Sequence, residues 1–553
     1  PDAAAEVRAG GQGRRPTPPQ SSARPSQPQT RAPPSRAPPR SSARSSARAT
    51  TKPPAGAGAA SKYPAEWLQR NTVEDLDASE RNATRWAAAA KEAMRWSWAQ
   101  YSNRSLGADN WVPERGEGSD WCNLGLTLVD SLDTLYLMGL RDEFDRAEAW
   151  VRDSLSMAGS RDTWQSFFEI TIRVLGGLLG AFAVSERGVF LERAAELGDR
   201  LLAAWGPADG LYPVGEVNVR LGQGRVIRWM GGKVGTAEIS SCQLEFRYLS
   251  HLTGDTKYAD AVDRAWELIF DTSRGKGLLP IYYNKHGPQG SDVSLGARGD
   301  SYYEYLIKGF LQTRQSERVL FDKWKLAMDE MFKQLTFKSQ DGHTYVAKMR
   351  ASTVVPEFDH LACFVPGMLV LAAEAAPEGA LGGDERQHYR EAAEEITETC
   401  HAMYDTKSGL APEIVVFPQG RMVTKAADGF SLLRPEAAEA MYYVHYYTGD
   451  PKYRVWANEI LEAMNAKAKV AHGYTAVDNV NSDQPRSRNN IESFFFAETL
   501  KYLYLIQMPR DTLDLGRYVF NTEAHPMAMW SPSSPGRFAV DGPSKPPALM
   551  RRG

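Results

Sequence analysis

Carboxylates recur inside the most apolar stretches of this 553-residue sequence. Asp130 and Asp133 lie in GLTLVDSLDTLYLMGL, Glu169 in WQSFFEITIRVLGGLLGAF, and Glu498 in IESFFFAETLKYLYLI. Others come in pairs: Glu238 and Glu245 seven apart in AEISSCQLEFRYL, Asp300 and Glu304 four apart in RGDSYYEYLIKGF, Glu436 and Glu439 three apart in LLRPEAAEAMYYV. Glu523 follows in VFNTEAHP. At these spacings one helix face presents both members of a pair. A buried carboxylate is costly unless it is paired, hydrogen-bonded or metal-bound. Any single case has a bland explanation. Asp130 would cap a helix beginning near Ser131, and Arg173, Arg247, Arg298 and Arg434 would each pair with a neighbouring acid. Recurrence over seven segments weakens that explanation. Acids converging on one axis would make a pocket suited to a hard cation or to acid/base work on a neutral polyol.

Other chemistries fare worse. The sequence holds no G-x-S-x-G elbow, H-E-x-x-H or G-x-x-x-x-G-K, and its nine histidines are dispersed. The four cysteines Cys122, Cys242, Cys363 and Cys400 contain no C-x-x-C pair that would suggest zinc. Aromatics stand beside the acids at Phe167, Phe168, Tyr302, Tyr303, Phe494 and Phe495; a ring facing the pocket would offer a sugar an apolar platform.

The elements that must position these acids are mostly helices. Residues 85–101 place Ala87, Ala90, Met94, Trp98 and Tyr101 on one face, and residues 256–270 repeat the pattern with Tyr258, Ala261, Ala265, Ile269 and Phe270. The segment YLSHLTGDTKY at 248–258 echoes VHYYTGDPKY at 444–453, with a looser copy, YLMGLRDEF, at 136–144. Each reads as an apolar helix end, a left-handed Gly stop, a short turn and an aromatic opening the next helix. Repeated antiparallel helix pairs at irregular spacing favour a closed helical barrel with decorated loops over a regular solenoid.

The two ends of the chain differ from its body. Residues 1–60 hold twelve of the 33 prolines, no aromatic residue, and ten Lys or Arg against two acids. They read as a disordered Pro-rich stem, or as a basic arm, with the domain beginning near 63. The overall charge of −3 therefore hides 55 basic against 66 acidic residues in 61–553, a poor surface for nucleic acid. From 527 the chain turns Pro/Ser-rich and reads as a flexible tail. No uninterrupted apolar run reaches the roughly 18–20 residues of a membrane span. A chain that begins at Pro1 rather than Met leaves room for an anchor outside it. Two sequons, Asn82-Ala-Thr84 and Asn103-Arg-Ser105, matter only in a secretory compartment.

At these same segments the sequence resembles the class I α-1,2-mannosidases, glycoside hydrolase family 47. The matches are LVDSLDTLYLMG, FEITIRVLGGLL, QLEFRYLSHLTGD, GDSYYEYLIK, DHLACF, RPEAAEA, ESFFFAETLKYLYL and VFNTEAHP, running from about 128 to 526. The resemblance implies an all-α (αα)7 barrel with minor β-hairpins over 63–526. It also implies a calcium-dependent inverting hydrolase that trims terminal α-1,2-linked mannose from high-mannose N-glycans, acting as a monomer. Glu169 would be the general acid, Glu436 the general base and Asp300 a third essential acid. Thr522 would hold calcium through its carbonyl and hydroxyl. Arg173, Glu245, Arg298, Glu304, His360, Arg434, Glu439, Phe494, Glu498 and Glu523 would hold the sugar or calcium-bound waters. Cys363 and Cys400 would form a disulfide, with Cys122 and Cys242 outside it.

The residues agree with these roles. Inversion needs one protonated and one ionised carboxyl group. Glu169, among Phe167, Phe168 and Ile170, is set for a raised pKa, and Glu436, beside Arg434, for staying ionised. Asp359 before His360, and Arg298 before Asp300, resemble the endoplasmic reticulum type, which places the protein in the lumen of the endoplasmic reticulum or Golgi, held by an anchor outside this chain. Two other readings remain open. One is a degradation-enhancing mannosidase-like protein, which the Cys363–Cys400 match disfavours. The other is a non-catalytic mannose-binding module, which retention of every acid disfavours.

Overall fold

The computed structural model describes residues 62–377, 379–533 and 536–539. Apart from Lys62, the expected stem over 1–62 lies outside the described residues. Within them, seven inner helices form a ring: Leu132–Leu137, Gly176–Ser185, Gln243–Thr253, Asp300–Gln312, Val365–Ala375, Glu436–Thr448 and Leu500–Leu505. Each packs on the next, and Phe495–Thr499, just before the last, packs on the first, so the ring closes. An outer helix backs each one. In order these are Arg141–Asp153, Gly188–Leu201, Lys257–Thr272, Arg318–Gln334, Gly383–Ala402 and Lys452–Lys467, while Val73–Ser105, first in the chain, backs the seventh. This is the (αα)7 arrangement expected from the sequence.

Burial explains the two rings. Along Val73–Ser105 the face bearing Ala87, Ala90, Met94, Trp98 and Tyr101 is buried, and the opposite face carries Arg and Glu. The inner helices are buried on nearly every side; in Asp300–Gln312 every residue after Asp300 is buried. Phe167–Ser185 is long and apolar enough to cross a membrane, yet it is an inner element, largely buried by its neighbours. Each of the first six inner helices reaches its outer partner through a short connection. Gly139, Gly254 and Gly449 stop three of them at φ of 65°, 75° and 67°, where a side chain would be strained.

The return connections, from outer to inner helix, are long and carry nearly all the strands. Among the described residues every strand pairing is antiparallel, and no sheet exceeds three strands. These connections all end at the N-termini of the inner helices, so they build one face of the barrel, its mouth. The last hairpin, Tyr518–Phe520 with Pro526–Ala528, enters from the opposite end. There the Trp530 amide donates to the carbonyl of Gln312, the last residue of its helix, at 2.9 Å. The hairpin plugs the barrel and carries residues 521–525 to its centre.

The tail expected from 527 is therefore shorter than its composition suggests. Residues 526–528 are a strand, and Trp530 stacks on His251 with ring centroids 4.4 Å apart. Phe538 is buried against Trp266 and Phe270, and its amide donates to Glu317 at 3.1 Å. An aromatic every few residues is enough to pin a Pro/Ser-rich segment.

Cys363 and Cys400 form a disulfide, 37 residues apart, tying the turn His360–Phe364 to the outer helix Gly383–Ala402. Cys122 and Cys242 are unpaired and buried, and burial pushes both thiols well above their ordinary pKa. Peptide mapping without reductant should find the single bridge Cys363–Cys400. Cys363→Ser should lower unfolding free energy by about 3–4 kcal/mol, the loop-closure value for this span, read from denaturant melts.

Candidate active site

The acids named from the sequence come from all around the ring, and most meet where the inner helices begin. Asp300 and Glu436 are the first residues of their helices, and Glu169 and Glu498 lie in or beside the only two π-helical stretches among the described residues, Ile170–Leu175 and Phe495–Thr499. A widened turn of this kind is found most often at functional positions. Here it places Glu169 and Arg173 side by side, with Arg173 Nε donating to Glu169 Oε2 at 2.7 Å.

Arg173 is the hub. It also donates to Glu523 at the tip of the plug and to Ser493, and stands 3.6 Å from Asp130 Oδ2. Burial alone would raise the Glu169 carboxyl, but the Arg173 charge outweighs it and holds the group below the ordinary range. The direction is opposite to the raised pKa expected for Glu169: burial desolvates it, and Arg173, one helical turn on, leads the charges that pull it down.

Asp300 takes the opposite state. Burial pushes its carboxyl up to about 7, with Glu304, Glu436 and Asp359 adding repulsion. A rise from the ordinary 3.8 to about 7 favours the protonated form by about 4 kcal/mol. That exceeds the pull toward ionisation at a helix N-terminus, about 0.3–1 kcal/mol. Glu436 is ionised. Burial would raise it, but the hydrogen bond from His360, together with the charges of His360 and Arg434, brings it below the ordinary range. His360 Nδ1 lies 2.9 Å from Glu436 Oε2, and its Nε2 3.1 Å from the Tyr404 hydroxyl. An ionised carboxylate only accepts, so Nδ1 carries the proton. Arg434, expected to hold Glu436, instead donates from Nε to Glu413 at 2.5 Å. Phe494 lies between the two guanidiniums, with Arg173 Cζ and Arg434 Cζ each 5.7 Å from its ring centroid.

Deeper in the barrel Lys308 bonds Glu304 and lies 3.7 Å from Glu439. Glu498 has no hydrogen-bond donor among the described residues, and burial, with the charges of Glu523, Glu436 and Glu439, raises it well above the ordinary range. Nearby, neither the hydroxyl nor the carbonyl of Thr522 is hydrogen-bonded by another described residue, while its amide donates to the Tyr305 hydroxyl at 3.3 Å. Neutral oxygens free of protein donors, with Glu523 next in the chain, suit a hard cation. Among the described residues no three His, Cys, Asp or Glu side chains are arranged to grip one.

One expected residue is misplaced. Glu245 and Glu238 do not share a helix face, because the chain breaks at Ser241 and Cys242 into Thr236–Ser240 and Gln243–Thr253. Glu245 is fully buried beneath the pocket, accepting from the Tyr305 hydroxyl at 2.6 Å and Asn521 Nδ2 at 2.8 Å. It is Glu238 that faces the mouth, 3.3 Å from Arg298. Arg298 and Leu433 flank Asp300 and Glu436 at φ of 73° and 60°. Backbone held in this region costs about 1–3 kcal/mol per residue and gathers at functional sites.

Other residues went unassigned in the sequence. Asp130 caps nothing: it faces His525 Nε2 at 3.0 Å, with Asp133 at Nδ1, 2.7 Å away, and Lys501 2.7 Å from Asp133. Lys308 and Lys501 carried a usable signal, a lysine inside an apolar helix. Glu413, just before the strand Ile414–Val416, carried none. Replacing Arg173 with Met would strand two buried carboxylates, Asp130 and Glu523, and the half-buried Glu169, and denaturant melts should show a loss of about 3–5 kcal/mol.

Comparison with known proteins agrees with this architecture. Residues 93–529 match the profile of glycosyl hydrolase family 47. The endoplasmic reticulum mannosyl-oligosaccharide 1,2-alpha-mannosidase of Homo sapiens is 39% identical over 452 residues, 79% of this chain and 63% of that protein. The chain thus spans less than two thirds of that relative's length. Mannosyl-oligosaccharide 1,2-alpha-mannosidase MNS1 of Arabidopsis thaliana is 36% identical over 502 residues, 90% of this chain and 85% of that protein. Among solved structures, the alpha-1,2-mannosidase from Trichoderma reesei aligns with a TM-score of 0.73 and 26% identity over 81% of this chain and 99% of that one. With its helical barrel and acidic mouth, the chain belongs to glycosyl hydrolase family 47.

Proposed function

We infer that the protein is a calcium-dependent, inverting exo-hydrolase that removes terminal α-1,2-linked mannose from high-mannose N-glycans in the secretory pathway. The relatives' activity supports the substrate. The observation that carries the mechanism is the split between two part-buried carboxyls of one site, Asp300 protonated up to about pH 7 and Glu436 held below the ordinary carboxylate range. Inversion requires that pair.

In this reading Glu436, oriented by His360, takes a proton from the water that attacks the anomeric carbon. Asp300 supplies the proton that leaves with the aglycone oxygen. Glu169, ionised against Arg173, stabilises the positive charge that develops on the sugar ring. The general-acid role thereby moves from Glu169 to Asp300. When bound at the Thr522 oxygens, calcium would supply fixed positive charge for sugar hydroxyls and for Glu498.

The rate should be bell-shaped in pH. Glu436 must be ionised and Asp300 protonated, so activity should fall in acid only below the ordinary carboxylate range, where Glu436 takes up its proton, and again above about 7. Asp300→Asn and Glu436→Gln should each cost about 10²–10⁴-fold in turnover, and Asp300→Asn should erase the alkaline limb. Persistence of that limb returns the acid role to Glu169. An NMR time course on a high-mannose oligosaccharide should show β-mannose first; α-mannose first would defeat inversion.

Calcium should raise the melting temperature by mass action, about 2.7 kcal/mol at a hundred times its Kd. Thr522→Ala keeps the carbonyl and loses the hydroxyl, so the calcium-dependent gain in melting temperature should shrink. A melting curve unchanged between chelator and calcium would defeat the metal claim, and an equal gain with magnesium the choice of ion.

A further inference from the structure

Among the fourteen tryptophans, all described, only Trp229 is exposed, at 78%. A single exposed apolar side chain is ordinary, but this ring has a defined place. It sits in the turn Arg228–Met230, on the connection 202–235 that delivers Glu238 to the mouth. Ile227, two residues earlier, packs on Gly215. A methyl group built on Gly215 would lie 2.6 Å from Ile227 Cδ1 and 3.5 Å from Glu238 Oε2. The Gly215 carbonyl accepts from the amide of Phe167, two residues before Glu169, at 3.0 Å. The base of the Trp229 turn therefore lies against the segments that carry Glu169 and Glu238. On the same connection, Arg225 lies 4.4 Å over the ring of Trp164 and pairs with Glu216.

The surroundings point the same way. Among the described residues, five of the seven exposed large apolar side chains, Leu221, Trp229, Phe337, Val354 and Val423, lie on the mouth connections. Val73 and Val455, on outer helices, are the others. A rim that carries apolar groups on several connections, with Leu221 and Trp229 on the same connection as Arg225 and Arg228, suits a ligand with alternating C–H faces and hydroxyl edges. Trp229, with its face free, is its largest flat surface.

We propose that Trp229 is the platform of an outer subsite that stacks a mannose residue of the glycan remote from the bond being cleaved, with Arg228 beside it donating to hydroxyls. This rests on the glycan-trimming reading above and adds where the rest of the glycan is held. An indole covers the C–H face of a pyranose without desolvating its hydroxyls. A disaccharide that fills only the cleavage site is too short to reach it.

The test compares three substrates: α-1,2-mannobiose, a free high-mannose oligosaccharide and the same oligosaccharide on a glycoprotein. Trp229→Ala should raise KM for the free oligosaccharide about three- to tenfold, with kcat and the melting curve little changed. It should leave mannobiose turnover intact, and Trp229→Tyr should restore most of the loss. Equal loss on mannobiose would overturn the subsite by making Trp229 a brace for Glu238. No loss on either free glycan would overturn it too, and a loss confined to the glycoprotein would assign the ring to polypeptide. If the unaltered protein cleaves neither free glycan, the trimming reading itself fails; that result is distinct from cleavage to which Trp229 is indifferent.

Discussion

One guanidinium serves three carboxylates from three distant parts of the chain. Arg173 meets Glu169 on its own helix, Asp130 from the preceding one, and Glu523 at the tip of the terminal hairpin. Taking ions from water into a protein interior costs several kcal/mol each, offset only when geometry and hydrogen bonds are good. The barrel is built to meet that condition. The closed ring fixes the angle between the first two inner helices, and the plug brings Glu523 up from below. Loosening any of the three leaves charge without a partner, so ring, plug and pocket stand or fall together.

The same economy sets the protonation pattern. Cations are few at the mouth: Arg173 goes to Glu169, and Arg434 to Glu413 with a longer reach to Glu436. Asp300 receives none and is neutralised by a proton instead. Deeper, Glu498 is left in excess. Acids placed at helix N-termini all feel a similar favourable dipole, so the dipole cannot tell them apart. Their partners do, and the division of labour between chemically identical groups follows from who stands beside each one.

Much of this was legible in the sequence because burying an acid leaves a mark: a carboxylate inside an apolar run. Glu169, Asp300, Glu436 and Glu498 were found that way, and the Gly-stopped repeats gave the helix pairs. What failed were inferences that needed an unbroken helix or a partner near in sequence. Glu238 and Glu245 were set on one helix face by a seven-residue spacing that the break at Ser241–Cys242 voids. Glu169 was read from its aromatic neighbours, and Arg173 outweighed them. Glu413 lies 21 residues from Arg434, on a hairpin no local pattern predicts. The terminal segment looked unstructured because composition averages over Trp530 and Phe538, the two side chains that pin it.

The order of the helices along the chain has a consequence for biosynthesis. Val73–Ser105, made first, has its inner partner in Leu500–Leu505, made almost last, and the plug follows still later. A chain emerging from the ribosome can stack its helix hairpins one by one, since each pairing is local. It cannot close the ring or set Glu523 against Arg173 until its final segment is free. Over that interval the apolar seam of Val73–Ser105 lies open, the kind of surface that invites aggregation or chaperones. A fold joined end to end in this way gains its pocket in one late step, and a chain truncated by even fifty residues would hold most of the acids and no working site.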